Sequence, residues 1–95
     1  MTAVPALVIT PRDNVATALE PLDAGRVLDL DGLVITIAES TPRGHKIALR
    51  LIRAGEPVLK YGSTIGTATA DIPPGAHVHT HNLASGRGRG DLHQR

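Results

Sequence analysis

Ninety-five residues with ten Lys/Arg against nine Asp/Glu make one small domain of formal net charge +1. Charge that close to zero leaves no footprint for duplex nucleic acid or an anionic membrane, and a single aromatic, Tyr61, excludes base stacking on aromatic platforms. With no cysteine there is neither a disulfide framework nor thiolate chemistry, and 41% hydrophobic residues without Phe or Trp make the core aliphatic.

The N-terminal stretch Met1–Thr10 has no basic region and no long apolar run, so it reads as neither signal peptide nor membrane span, and the cytoplasm is the expected compartment. Ala6–Thr10 is a short apolar run closed by Pro11 and reads as a strand. Asp13 or Asn14 then caps a short helix with Val15, Ala18 and Leu19 on one face, stopped by Pro21. After a turn at Asp23-Ala-Gly25, the strand Arg26–Leu30 leads into Asp31-Gly32, the best hairpin signal of the chain, because that pair suits two left-handed turn positions. Leu33–Ala38 is the return strand.

Thr41-Pro-Arg-Gly44 breaks the pattern. In Gly44–Ile52 the alternation of Ile47, Leu49 and Leu51 fits a strand and Ala-Leu-Arg-Leu fits a helix; strand is the reading adopted. Ala54-Gly-Glu-Pro57 turns into Val58–Gly62, and Thr64–Ala70 follows, with Gly62 and Gly66 where backbone must turn or come close to something. Turn signals at this spacing predict a small, mostly-β, barrel-like or clip-like domain over residues 1–83, with no internal repeat. Residues 84–95 are polar, glycine-rich and basic, and read as a flexible or partner-docking tail.

Gly75-Ala-His-Val-His-Thr-His-Asn82 is the stretch that carries chemistry. Pro73-Pro74-Gly75 supplies a turn and Val78 and Thr80 favour extension, which would put His77, His79 and His81 on one face. Such a row can bind a divalent metal or exchange protons near neutral pH. Positions i and i+2 of a strand lie roughly 6.5 Å apart, whereas a metal holds its nitrogens about 2.1 Å away. Three imidazoles of a straight strand therefore converge with difficulty, and two local ligands supplemented from elsewhere is the expectation. The plainer alternative is a solvent-facing polar strand.

Four pieces in fixed order, Asp13-Asn-Val-Ala16, Gly44-His-Lys-Ile-Ala-Leu49, Val58-Leu-Lys-Tyr-Gly-Ser-Thr-Ile-Gly66 and Ala70–Asn82, closely resemble the N-terminal domain of altronate dehydratase and, less closely, that of galactarate dehydratase. The resemblance covers roughly residues 6–83 and implies the SAF family, whose fold is a small single-domain β-clip also seen in antifreeze-like domains. Without the long catalytic region of the full dehydratases, it implies a separately encoded small subunit that works beside a large catalytic subunit. The implied chemistry is metal-dependent β-elimination on a sugar acid, with iron(II) or manganese(II) stabilising an enediolate-like species and imidazole as general acid. A sulfolactate sulfo-lyase small subunit and a non-catalytic SAF binding module are the alternatives, and self-association into a homo-oligomer stays open.

On that resemblance His45, His79 and His81 are catalytic candidates, His77, His79 and His81 metal ligands, and Lys46, Lys60 and Asn82 substrate contacts. Each has a plainer alternative: a hydrogen-bonded structural histidine for His45, solvated surface lysines, and a turn role for Asn82. Asp13 is either a helix cap or a carboxylate behind a ligand histidine, and Tyr61 is expected to fill the core.

Overall fold

The structure, a computed structural model, describes residues 4–85. Its strands are β1 (Ala6–Leu7), β2 (Val15–Ala18), β3 (Val27–Leu30), β4 (Leu33–Thr36), β5 (Lys46–Ala48), β6 (Pro57–Lys60), β7 (Ser63–Ala68), β8 (His77–Val78) and β9 (Leu83–Ser85). They form three antiparallel sheets in the orders β1-β2-β5-β8, β3-β4 and β6-β7-β9. Among the described residues there is no helix, and so none long and apolar enough to cross a membrane.

One local device recurs four times. Leu22-x-x-Gly25-x-x-Leu28, Thr41-x-x-Gly44-x-x-Ile47, Ile52-x-x-Gly55-x-x-Val58 and Ile72-x-x-Gly75-x-x-Val78 share a single spacing. In each, the backbone N–H after the glycine donates to the carbonyl three residues back, at 2.9–3.1 Å. The four glycines have φ between 81° and 92°, the third-position conformation of a type II turn, which glycine adopts without strain. The aliphatic residues before and after each turn point inward: Leu22, Ile47, Ile52, Val58, Ile72 and Val78 are each at most 1% exposed. Bridges Leu22↔Thr41 and Ile52↔Ile72 then pair the first turn with the second and the third with the fourth. The domain is thus built from two similar halves, and the expectation of no repeat is corrected. Thr41, buried at an otherwise aliphatic position, hides the pattern.

Each half contains a two-residue hairpin. Asp31-Gly32 joins β3 to β4 and Tyr61-Gly62 joins β6 to β7, with positive φ at both positions of both turns. The halves bury separate clusters, one around Leu22, Leu28, Ile35, Ile37 and Ile47, the other around Ile52, Val58, Ile72 and Val78. Each such side chain contributes roughly 1.5–3 kcal/mol of burial free energy.

The predicted helix at 13–19 is instead β2. Val15, Ala16 and Ala18 are buried and the strand is paired on both sides, Ala6↔Ala18 to β1 and Ala16↔Ile47 to β5. A one-sided helix would leave half of this surface in water, so tertiary pairing overrides the local capping signal. Asn14 reinforces the choice: its Nδ2 donates to the Pro57 carbonyl at 3.0 Å and its Oδ1 accepts from the Leu59 N–H at 2.7 Å, joining β2 to the second half.

Boundaries also move: β4 ends at Thr36 rather than Ala38, and the strand expected in Gly44–Ile52 is confined to Lys46–Ala48. The first strand covers only Ala6–Leu7, the histidine strand stops at Val78, and β9 runs to Ser85, past the predicted start of the tail. The remainder of that tail, from Gly86 on, lies outside the described residues.

Candidate functional site

Register brings the imidazoles together. β5 and β8 pair antiparallel with Lys46 opposite Val78 and Ile47 opposite His77. Continued by one residue, the same register sets His45 across from His79, with His77 on the same face. Directly opposed side chains approach to about 5 Å, closer than residues i and i+2 on one strand. The ring centroids of His45 and His79 are 4.1 Å apart, and His45 Nδ1 stands 2.8 Å from His77 Nε2. One ligand nitrogen from each of His45, His77 and His79 falls within 4.8 Å of the others, and all three rings are half-buried. The trio therefore takes two histidines from the run and the third from thirty-two residues away.

His81 lies outside this trio. The chain turns at His79, where the Asn82 N–H donates to the His79 carbonyl at 3.0 Å, and exposed His81 reaches only His77, at 5.3 Å between centroids. Asn82 is buried and bonds to backbone: its Oδ1 accepts from the His79 N–H at 3.0 Å and its Nδ2 donates to the His77 carbonyl at 2.9 Å. It thereby fixes the bend that separates His81 from its two neighbours.

Electrostatics favour the neutral ring at His77 and at His79. Burial, followed by repulsion from His45, His81 and His79, pushes His77 below the usual imidazole range, against a smaller upward pull from Glu39. Burial, then His45, Lys46 and His81, does the same to His79. Lys46 is lowered by burial and next by Lys60. The close His45–His77 contact needs one ring nitrogen as donor and the other as acceptor, so the pair shares a proton. Neutral imidazole is the ligating form, and a donor set of three clustered imidazole nitrogens suits a divalent transition ion.

Glu39 escaped the sequence reading. Its Oε1 accepts the His77 N–H at 3.0 Å, and it comes there because Gly75 packs against the end of β4. A side chain at Gly75 would collide with the Thr36 carbonyl, and the Ala38 N–H donates to the Gly75 carbonyl at 2.9 Å. The proline-proline-glycine run was the only hint of this close approach.

Asp13 is neither a helix cap nor a partner of a histidine. It is 3% exposed and accepts four hydrogen bonds, from the Thr10 N–H and hydroxyl at 3.1 and 2.8 Å and from the Tyr61 and Gly62 N–H groups at 3.2 and 2.8 Å. Burial alone would raise its pKa, but the bonds from Gly62, Thr10 and Tyr61 outweigh it and bring the value down to about 2. Tyr61 itself is 61% exposed on its turn, so the expectation that it fills the core is also corrected.

A concavity of about 890 Å³ lies elsewhere, between β1 and the β3–β4 turn, and is lined by apolar residues such as Leu7, Ile9, Leu30 and Leu33. Of the residues weighed for the site, Asp13 alone lines it, and none of the histidines or lysines does.

Fold and site together define a small antiparallel β domain that presents clustered imidazoles beside Lys46. Residues 4–86 match the altronate/galactarate dehydratase SAF domain, and the chain belongs to that family. It is 49% identical to altronate dehydratase of Escherichia coli over 70 residues, 74% of this chain and 14% of that protein. Against altronate dehydratase of Bacillus subtilis it is 42% identical over 74 residues, 78% of this chain and 15% of that protein. It is also 43% identical over 53 residues to (2R)-sulfolactate sulfo-lyase subunit alpha of Paracoccus pantotrophus, 56% of this chain and 79% of that subunit. The chain thus spans about one seventh of the altronate dehydratases and most of the sulfo-lyase subunit.

Proposed function

We propose that this chain is the small, site-bearing subunit of a metal-dependent lyase that dehydrates a sugar acid to a 2-keto-3-deoxy acid. The observation that carries the reading is the convergence of His45, His77 and His79 within 4.8 Å in a member of this family. These three would hold iron(II) or manganese(II), and when bound such an ion supplies Lewis acidity toward a substrate carboxylate.

The chain's own residues divide the remaining work. Lys46 and Lys60 attract the carboxylate as point charges. With the three nitrogens of the trio committed to the ion, the proton that leaves the carbon next to the carboxylate, and the one returned to the departing β-hydroxyl, would pass through a group outside the trio, such as His81. His81, exposed at the edge, would approach substrate from the solvent side. Asn82 holds the bend rather than contacting substrate, as its polar atoms are already bonded to backbone. The rest of the catalytic machinery would come from a large subunit, since the altronate dehydratases are about seven times longer than the matched segment.

A second reading is a sulfolactate sulfo-lyase subunit, favoured by the 79% of the Paracoccus subunit that the match covers. A hybrid tests both. Residues 4–85 replace the matched segment of the Escherichia coli altronate dehydratase, and turnover of altronate and of sulfolactate is measured. Altronate turnover that falls by orders of magnitude on His45→Ala or His79→Ala is the expected result. Near-native rates in both variants would reject a catalytic role and leave a binding module.

A further inference from the structure

The strand that carries His77 is held on one side only. β8 has two residues and pairs with β5 at the end of its sheet. The Ala48 N–H donates to the Ala76 carbonyl, so by the alternation of an antiparallel ladder the N–H and carbonyl of His77 point away from β5. Side chains hold both of these edge groups. Asn82 Nδ2 donates to the carbonyl at 2.9 Å, and Glu39 Oε1 accepts the N–H at 3.0 Å. Asn82 is a near neighbour in sequence, whereas Glu39 comes from thirty-eight residues away, in the other half of the domain.

The backbone around Glu39 is fixed on both sides. The Ala38 N–H donates to the Gly75 carbonyl at 2.9 Å, and the Glu39 carbonyl accepts the Thr41 hydroxyl at 3.0 Å. The second bond accounts for Thr41. The other three turns place Leu22, Ile52 and Ile72 at that buried position, where a hydroxyl costs free energy unless it is bonded. The one polar exception thus secures Glu39. Its side chain is exposed, and no lysine or arginine among the described residues forms an ion pair with it, so neither burial nor charge pairing explains its pose.

We propose that Glu39 is a positioning residue of the histidine trio: by accepting the His77 N–H it fixes the outer edge of β8 and, through that backbone, the His77 ring against His45. The 2.8 Å approach of His45 Nδ1 to His77 Nε2 depends on that edge, because a ligand constellation has to be held to within about 0.5 Å. This rests on the proposed metal-holding role of the trio and adds the residue that sets its geometry from the other half.

The test uses the full chain with cobalt(II) as the probe, read by its visible absorption, and the metal-free thermal midpoint as a check of the fold. Glu39→Gln keeps an acceptor oxygen and removes the charge. Glu39→Asp keeps the charge and draws it back by one methylene. Glu39→Gln should bind cobalt within about threefold of the unsubstituted chain and with the same spectrum, whereas Glu39→Asp and Glu39→Ala should each lose about tenfold or more and shift the spectrum as one imidazole leaves the ion. In a His77→Ala background, Glu39→Ala should weaken binding no further, because its effect runs through His77. An equal loss in both backgrounds, or a Glu39→Gln variant as weak as Glu39→Ala, would overturn the positioning role and leave the trio standing. Retained affinity and spectrum in Glu39→Ala would overturn it as well. Absence of a cobalt spectrum in the unsubstituted chain would overturn the metal site and this inference with it.

Discussion

Replacing Asp13 by asparagine removes the one buried charge that ties the N-terminal loop to the β6–β7 turn. Four hydrogen bonds converge on its two oxygens, and asparagine would aim an NH2 group at two of the donors. The charge contribution can be read from titration. The carboxyl falls from 3.8 to about 2 in the folded protein, which corresponds to about 2 kcal/mol at neutral pH. Because the folded pKa is the depressed one, this stabilisation is fully present above 3.8 and disappears as the pH drops through about 2. Urea unfolding followed by circular dichroism, repeated from pH 7 to pH 2, measures it. The unsubstituted chain should exceed Asp13→Asn by at least about 2 kcal/mol at pH 7, and the gap should shrink below pH 4 as the carboxylate protonates. A gap that stays constant to pH 2, or that lies within about 0.5 kcal/mol at pH 7, would refute the clamp.

The turn glycines should separate into two classes. Gly25→Ala meets open space and incurs only the left-handed penalty, about 1 kcal/mol, whereas Gly75→Ala also drives a methyl group into the Thr36 carbonyl and should cost about 3 kcal/mol; equal chemical denaturation midpoints would contradict this. In calorimetric titration with manganese, His45→Ala and His79→Ala should each lose at least the ~10–100-fold in affinity that even a supporting contact is worth, and His81→Ala much less. A large loss in His81→Ala with little in His45→Ala would place the ion on the row rather than on the trio. His77 and His79 are both held below 6.5, so the unfolded chain takes up protons first as the pH falls. The metal-free chain should therefore have its full histidine-linked stability above pH 6.5 and lose it as the pH falls below that, and a His77→Ala/His79→Ala variant should show a flatter thermal midpoint across that fall.

Much of the architecture is local and therefore legible. The Asp31-Gly32 hairpin, the glycine turns, the alternation in β3 and β4 and the aliphatic core all follow from φ preferences and side-chain period, which act over a few residues. The order of four short pieces also carries the family. What the sequence left undecided depends on pairing between distant segments. Residues 15–18 are too few for periodicity to separate helix from strand, and only the β1 and β5 neighbours on either side decide. His77, His79 and His81 look equivalent along the chain. Asn82 bends the backbone after His79, and the β5–β8 register places His45 opposite it, so the trio is set by hydrogen bonds across a sheet. Tyr61 shows the limit most clearly. Composition favours burying the only aromatic, but its place on a hairpin tip braced by Asp13, forty-eight residues away, holds it in solvent.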